Sequence, residues 1–249
     1  MGRRMPFAVW TFICASAVGV IMAAGASAAP TESNTAFTCV LGGTNRPPAF
    51  FSDQDCSEPF PSAAFGSSPI RAGENTQLTL ANIGNTTLKT TIAGSEFILT
   101  ATGAECVECM AENHEEVVGG KTVMDVQGSG GHIRYTGVTT NVPTCIVKKG
   151  EVNTRALKFT TTTTTTALVE PVAPITMAVI EFEPGCFAGA SITVTGIARG
   201  TAKGAIATFE TGREELLVGK QKAELKGVAT ISAGLTGSGT MNPLLLTAT

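Results

Sequence analysis

Cys106 and Cys109 form a C-x-x-C, and His114 and His132 follow downstream. Thiols at that spacing exchange disulfides when a thioredoxin-like β-α-β frame presents them, and hold zinc when a second close ligand pair completes a tetrahedron. The sequence supplies neither completion. The flanking residues read as strands without alternating helices, and the two histidines stand well apart in the chain. In an oxidising compartment a structural disulfide is the plainer chemistry for these two thiols.

Carboxylate pairs are the next candidates, because two acids suffice for glycoside hydrolysis. Glu181 and Glu183 are two residues apart on an expected strand, so they project from one face. Asp53, Asp55 and Glu58 surround Cys56 in a loop and offer oxygen ligands of the kind calcium takes. A solvated surface explains both groups more simply. No G-x-S-x-G elbow occurs, and His114-Glu115-Glu116 runs into Val117-Val118, so H-E-x-x-H fails. Gly120-Lys121-Thr122 matches only the end of a phosphate loop, since Glu115 stands where the first glycine is required. No catalytic, cofactor-binding or metal-ligating residue is assigned on this basis, and no cofactor is expected. Asn85-Thr86-Thr87 is an acceptor sequon.

The elements that would position such groups begin after a segment set apart from the fold. Arg3 and Arg4 precede an uncharged apolar run from Phe7 to Ala24, and Ala26-Ser27-Ala28 gives small residues at a cleavage position. Residues 1–28 are therefore expected to be a signal peptide, with no stable membrane span after its removal. Removal takes two arginines and no acid from 17 basic and 20 acidic side chains, leaving 15 against 20 and a formal charge of −5. A nucleic-acid binder needs a basic stripe against phosphate, and none is present. Cys14 leaves with the signal. Cys39, Cys56, Cys106, Cys109, Cys145 and Cys186 remain, an even set that implies disulfides in any of fifteen connectivities.

Residues 29–71 are rich in proline and small residues, with Pro47-Pro48, Pro59, Pro61 and Pro69 each removing a backbone donor. A loop-rich segment tied by one disulfide is expected there, without long central strands. Residues 72–249 turn to period two. Strands are expected over Gln77–Ala81, Thr86–Ala93, Glu96–Ala101, His132–Thr139, Cys145–Lys148, Ile175–Glu183, Ser191–Ile197, Ile206–Phe209 and Val228–Ser232. Gly119-Gly120, Gly128-Ser129-Gly130-Gly131, Pro184-Gly185 and Gly219-Lys220 break them. Glu108–Val118 suits a short helix or a strand, Arg213–Leu225 suits a hairpin, and the threonine run Thr160–Thr166 an exposed edge strand or a loop. The fold class that follows is all-β, a mainly antiparallel sandwich or barrel-like domain.

Several segments together resemble a group of secreted proteins of Gram-positive soil bacteria with no established activity. They are Ala36-Phe37-Thr38-Cys39 with Phe51-Ser52-Asp53 and Cys56, Thr86 to Gly94, Gly130 to Thr136, Pro143-Thr144-Cys145-Ile146-Val147, and Val194 to Gly200. The resemblance implies export and a β fold. The group carries a cysteine shortly after the Tyr-Thr that matches Tyr135-Thr136. This chain has Gly137-Val138 there and Cys109 instead, which makes a local Cys106–Cys109 bond the expected substitute. With it, Cys39–Cys56 and Cys145–Cys186 are the expected pairs.

The function expected is that of a secreted or cell-surface, non-enzymatic binding or structural protein with an extracellular ligand. The rival is a secreted hydrolase whose carboxylates, Glu181 and Glu183 among them, meet only in the folded sheet. A third reading holds zinc through Cys106, Cys109 and His114. Peptide mapping without reduction is expected to recover three linked pairs, and free thiols at Cys106 and Cys109 would overturn the local staple.

Overall fold

The computed structural model describes residues 33–41, 50–52, 65–70, 76–163, 165–172, 175–203, 206–210, 215–234 and 241–248. The expected signal peptide, Asp53, Asp55, Cys56 and Glu58 lie outside them. The described residues are 74% strand, and all their pairings are antiparallel. The all-β, barrel-like expectation is met.

The chain opens with β1 (Asn34–Leu41), β2 (Phe50–Phe51) and β3 (Phe65–Pro69). A meander follows: β4 (Thr76–Asn82), β5 (Thr86–Ile92), β6 (Ser95–Ala101) and β7 (Gly103–Val107). Next comes the hairpin of β8 (Met110–Val118) and β9 (Lys121–Ser129), then β10 (His132–Thr136), β11 (Thr139–Thr140) and β12 (Glu151–Asn153). β13 (Leu157–Thr163) and β14 (Thr166–Pro171) form a hairpin, followed by β15 (Thr176–Glu181) and β16 (Ser191–Gly196). β17 (Ala198–Lys203), β18 (Ile206–Glu210), β19 (Leu216–Val218), β20 (Gln221–Gly234) and β21 (Met241–Ala248) complete the set. The helix option for Glu108–Val118 gives way to β8. Gly119 and Gly120 adopt φ of 59° and 80°, the left-handed pair that a two-residue hairpin turn demands.

The pairings close two rings. In the first, β4, β8, β9, β13, β14, β17, β18 and β20 pair in succession, and β20 returns to β4. In the second, β20 pairs with β5 and β5 with β6, and the ring continues through β11 and β10 to β12. It crosses to β15 by the single bridge Thr154↔Ala178 and by the Arg155 N–H donating to the Met177 carbonyl at 2.7 Å. β16 and β19 then lead back to β20.

Each ring encloses its own core. Ala36, Ile70, Leu78, Ala111, Val126 and Ala233 are buried at the first. The second holds a larger cluster around Phe97, whose ring meets Phe182 edge-on at 5.9 Å between centroids. Polar side chains such as Lys158 and Glu170 (ion pair 2.8 Å) lie on the outer face. Among the described residues no helix is long and apolar enough to cross a membrane.

Three expectations are corrected. The N-terminal segment does carry a central strand: β1 pairs with β21 on one edge and β3 on the other. Asn113 secures it from the wall of the first ring. Its amide oxygen accepts the Ala36 N–H at 2.8 Å, and its nitrogen donates to the carbonyls of Ala36 (3.1 Å) and Ile70 (2.6 Å). The first part of the threonine run is no exposed edge either, because β13 is paired with β14 along its length and with β9 as far as Thr160, while Thr165 stands exposed in the turn. Thr161, 3% exposed, accepts the Val126 N–H at 2.8 Å and donates to Asn34 Oδ1 at 2.5 Å. Finally, Cys145–Lys148 is not a strand. The Cys145 carbonyl is taken by the Thr140 hydroxyl at 2.9 Å, so only the isolated bridge Val147↔Phe182 forms. The expected hairpin of the 213–225 region is present as β19 and β20.

β20 passes from one ring to the other at Gly227. A Cβ there would lie 2.7 Å from the Thr86 hydroxyl oxygen, a separation that real side chains do not sustain. Gly227→Val is expected to destabilise the fold by about 1–3 kcal/mol. Urea unfolding checks this as a lower midpoint at unchanged m-value.

Candidate functional site

The interior of an eight-stranded barrel is just wide enough for side chains to fill it or to hold one small ligand. Which outcome follows depends on the inward residues. In the first ring, successive strands turn small ones inward, among them Ala167, Gly200, Ala202 and Ala207. The aromatic rings do not reclaim the space. Phe159 lies where a Cβ on Gly128 would stand, and Phe209 lies 3.2 Å from the corresponding position on Gly200. Both rings are drawn into notches in the wall. An almost wholly apolar cavity of about 130 Å³ is left between them. Leu244 and Leu246 of β21 and Ile133 of β10 also border it.

The Cys106–Cys109 disulfide borders the same cavity, with Cα atoms 5.7 Å apart. Glu108 between the two cysteines adopts φ of 56°. The Cys109 carbonyl accepts the Leu78 N–H at 2.8 Å, and a Cβ on Gly131 would meet the Cys109 backbone at 2.5 Å. The C-x-x-C is thus a wall piece fixed against β4 and β10. Oxidised, it has no thiolate for zinc.

The second ring keeps a smaller apolar cavity of about 70 Å³. Tyr135 reaches into it from β10, and among the described residues its hydroxyl has no hydrogen-bond partner. Burial among the apolar side chains pushes its pKa up to about 12. Between the rings lies a third space of about 20 Å³, bordered by Ile133, Tyr135, Leu80 and Phe209.

The remaining candidates are dispersed. Glu181 and Glu183 do face the same way, flanking buried Phe182, but both are exposed, and Glu181 meets Lys148 at 3.2 Å. His114 lies opposite Asp125 on the β8–β9 hairpin, Nδ1 to Oδ1 3.0 Å, with the Gln127 amide donating to Asp125 Oδ2 at 2.9 Å. Asp125 is fully buried, and the imidazole is oriented by it. Among the described residues no hydroxyl or thiol hydrogen-bonds to His114, as the nucleophile of a triad would. His132 begins β10, away from His114. Among the described residues no three His, Cys, Asp or Glu gather as metal ligands. Cys145 and Cys186 are bonded, with Cα atoms 4.2 Å apart, as expected. Cys39 is also disulfide-bonded, while its expected partner Cys56 lies outside the described residues.

Sequence reasoning missed the cavity. Its signal was present as small residues, Gly200-x-Ala202 at alternate positions and Ala207 on the next strand. Comparison with protein-family models, curated proteins and solved structures yields no match to the chain.

Tyr135 is the only tyrosine, so phenolate absorbance reports it alone. A phenol whose pKa is raised by folding stabilises the fold fully below its unfolded value, near 10, and that contribution is lost as pH climbs through about 12. The expected midpoint is near 12 in the folded protein and near 10 in denaturant. A folded midpoint at 10 would show the hydroxyl solvated.

Proposed function

We propose that this chain is an exported, non-enzymatic binding protein that holds a small apolar molecule inside its first ring of strands. The observation that carries this reading is the apolar cavity of about 130 Å³. An apolar cavity of about 150 Å³ stays dry and admits benzene or xenon. Ligand burial there needs no polar partner and gains the transfer free energy of the apolar surface. Export is supported by the basic and apolar N-terminal sequence and by two disulfides, which persist in oxidising compartments. The hydrolase alternative has less support, because the same-facing acids Glu181 and Glu183 stand in solvent.

Benzene tests the reading. At about 100 times its Kd, a ligand that binds only the folded state adds about 2.7 kcal/mol. A chain of this size should then melt about 5–10 °C higher. Ala207→Leu fills the cavity, and the benzene shift should vanish while the variant remains folded. Absence of any shift with both benzene and xenon would remove the proposal.

A further inference from the structure

We infer that the ligand is an unbranched aliphatic chain that threads the two rings, a deepening that rests on the binding reading above. The three cavities are not independent. Leu80, Ile133 and Phe209 form walls of both the first cavity and the space between the rings. Thr86, Tyr135 and Leu225 form walls of both that space and the second cavity. The rooms are thus arranged in file, with neighbouring rooms sharing wall residues.

β10 supplies two of these shared residues. Ile133 and Tyr135 are two residues apart on the same side of the strand, and each borders the middle space. A compact ring-shaped ligand fits one room only. A chain is narrow enough to pass these residues when they change rotamer, a motion that leaves both ladders intact. By the benzene yardstick of about 25 Å³ per carbon, the first cavity takes about five carbons. The three rooms, at about 130, 20 and 70 Å³, take about nine.

Tyr135 adds a second observation that points to an occupant. Its side chain is half-buried, and its hydroxyl has no hydrogen-bond partner among the described residues where the side chain borders the middle space and the second cavity. A buried polar group without a partner is costly. The nearby Thr154 hydroxyl oxygen already accepts the Ile133 N–H at 2.9 Å. A chain carrying one oxygen at its inner end would give the phenol its partner.

The experiment is a series of 1-alkanols from butanol to dodecanol, titrated into the intact oxidised protein, with benzene in parallel. Each added methylene should tighten binding about fourfold, up to roughly nine carbons, and longer chains should gain nothing. Ala104 borders only the middle space. Ala104→Leu should move the limit to roughly five carbons and leave benzene binding as it was. A limit near five carbons in the unaltered protein, with benzene still bound, would overturn the chain and leave the binding reading standing. No binding of alkanols or benzene would overturn both. The length series on the unaltered protein decides the matter even if the Ala104 variant fails to fold.

Discussion

A strand has two hydrogen-bonding edges, and the architecture rests on how β20 shares them. Lys226 pairs with Glu210 of β18 on one edge and Thr87 of β5 on the other. A few residues on, Ser232 pairs with Pro243 of β21 and with Thr79 of β4. β19 takes the beginning of the same strand. Five neighbours are served in succession, and both rings close through this one element. Its fourteen residues exceed the usual strand length of three to ten. Gly227 allows it to continue where a side chain would strike Thr86. Without that continuity neither ring would close.

How much of this was legible in the sequence depended on the scale of the feature. Period-two alternation of residue types located β4, β5, β6, β16 and β18 to within one residue at either end. The same rule failed at the threonine run. Threonine has a β-branched shape suited to strands and a hydroxyl suited to either face, so Thr161 gave no sign that it points into a barrel. It failed at Cys145–Lys148 for a different reason. There a side chain, Thr140, captured the carbonyl that a ladder needed. β1 was obscured by the prolines around it, and the contact that makes it a strand comes from the far end of the chain. Cys106–Cys109 was legible because its thiols are neighbours in sequence. The cavity was not, since it arises from what Ala and Gly omit on strands brought together by ring closure.

The binding reading and the polar residues fit one division of labour. On the β8–β9 hairpin the fully buried Asp125 is satisfied by its cross-strand partner His114 and by Gln127. Within the rings, polar groups are spent on holding segments in place: Asn113 on β1, and Thr161 between β9 and β1. The Tyr135 hydroxyl stands apart from that pattern, which is why it bears on what the interior accommodates.

The pairing of β1 with β21 joins Asn34 to Ala248. Synthesis delivers β21 more than two hundred residues after β1. Until it emerges, β1 has an edge with no native partner, and a loop of that length must close to supply one. Long-range strand pairing of this kind is slow and leaves edges open to wrong partners. A nascent chain has to be kept apart from its copies until β21 emerges, so production of this protein is governed by timing as much as by stability.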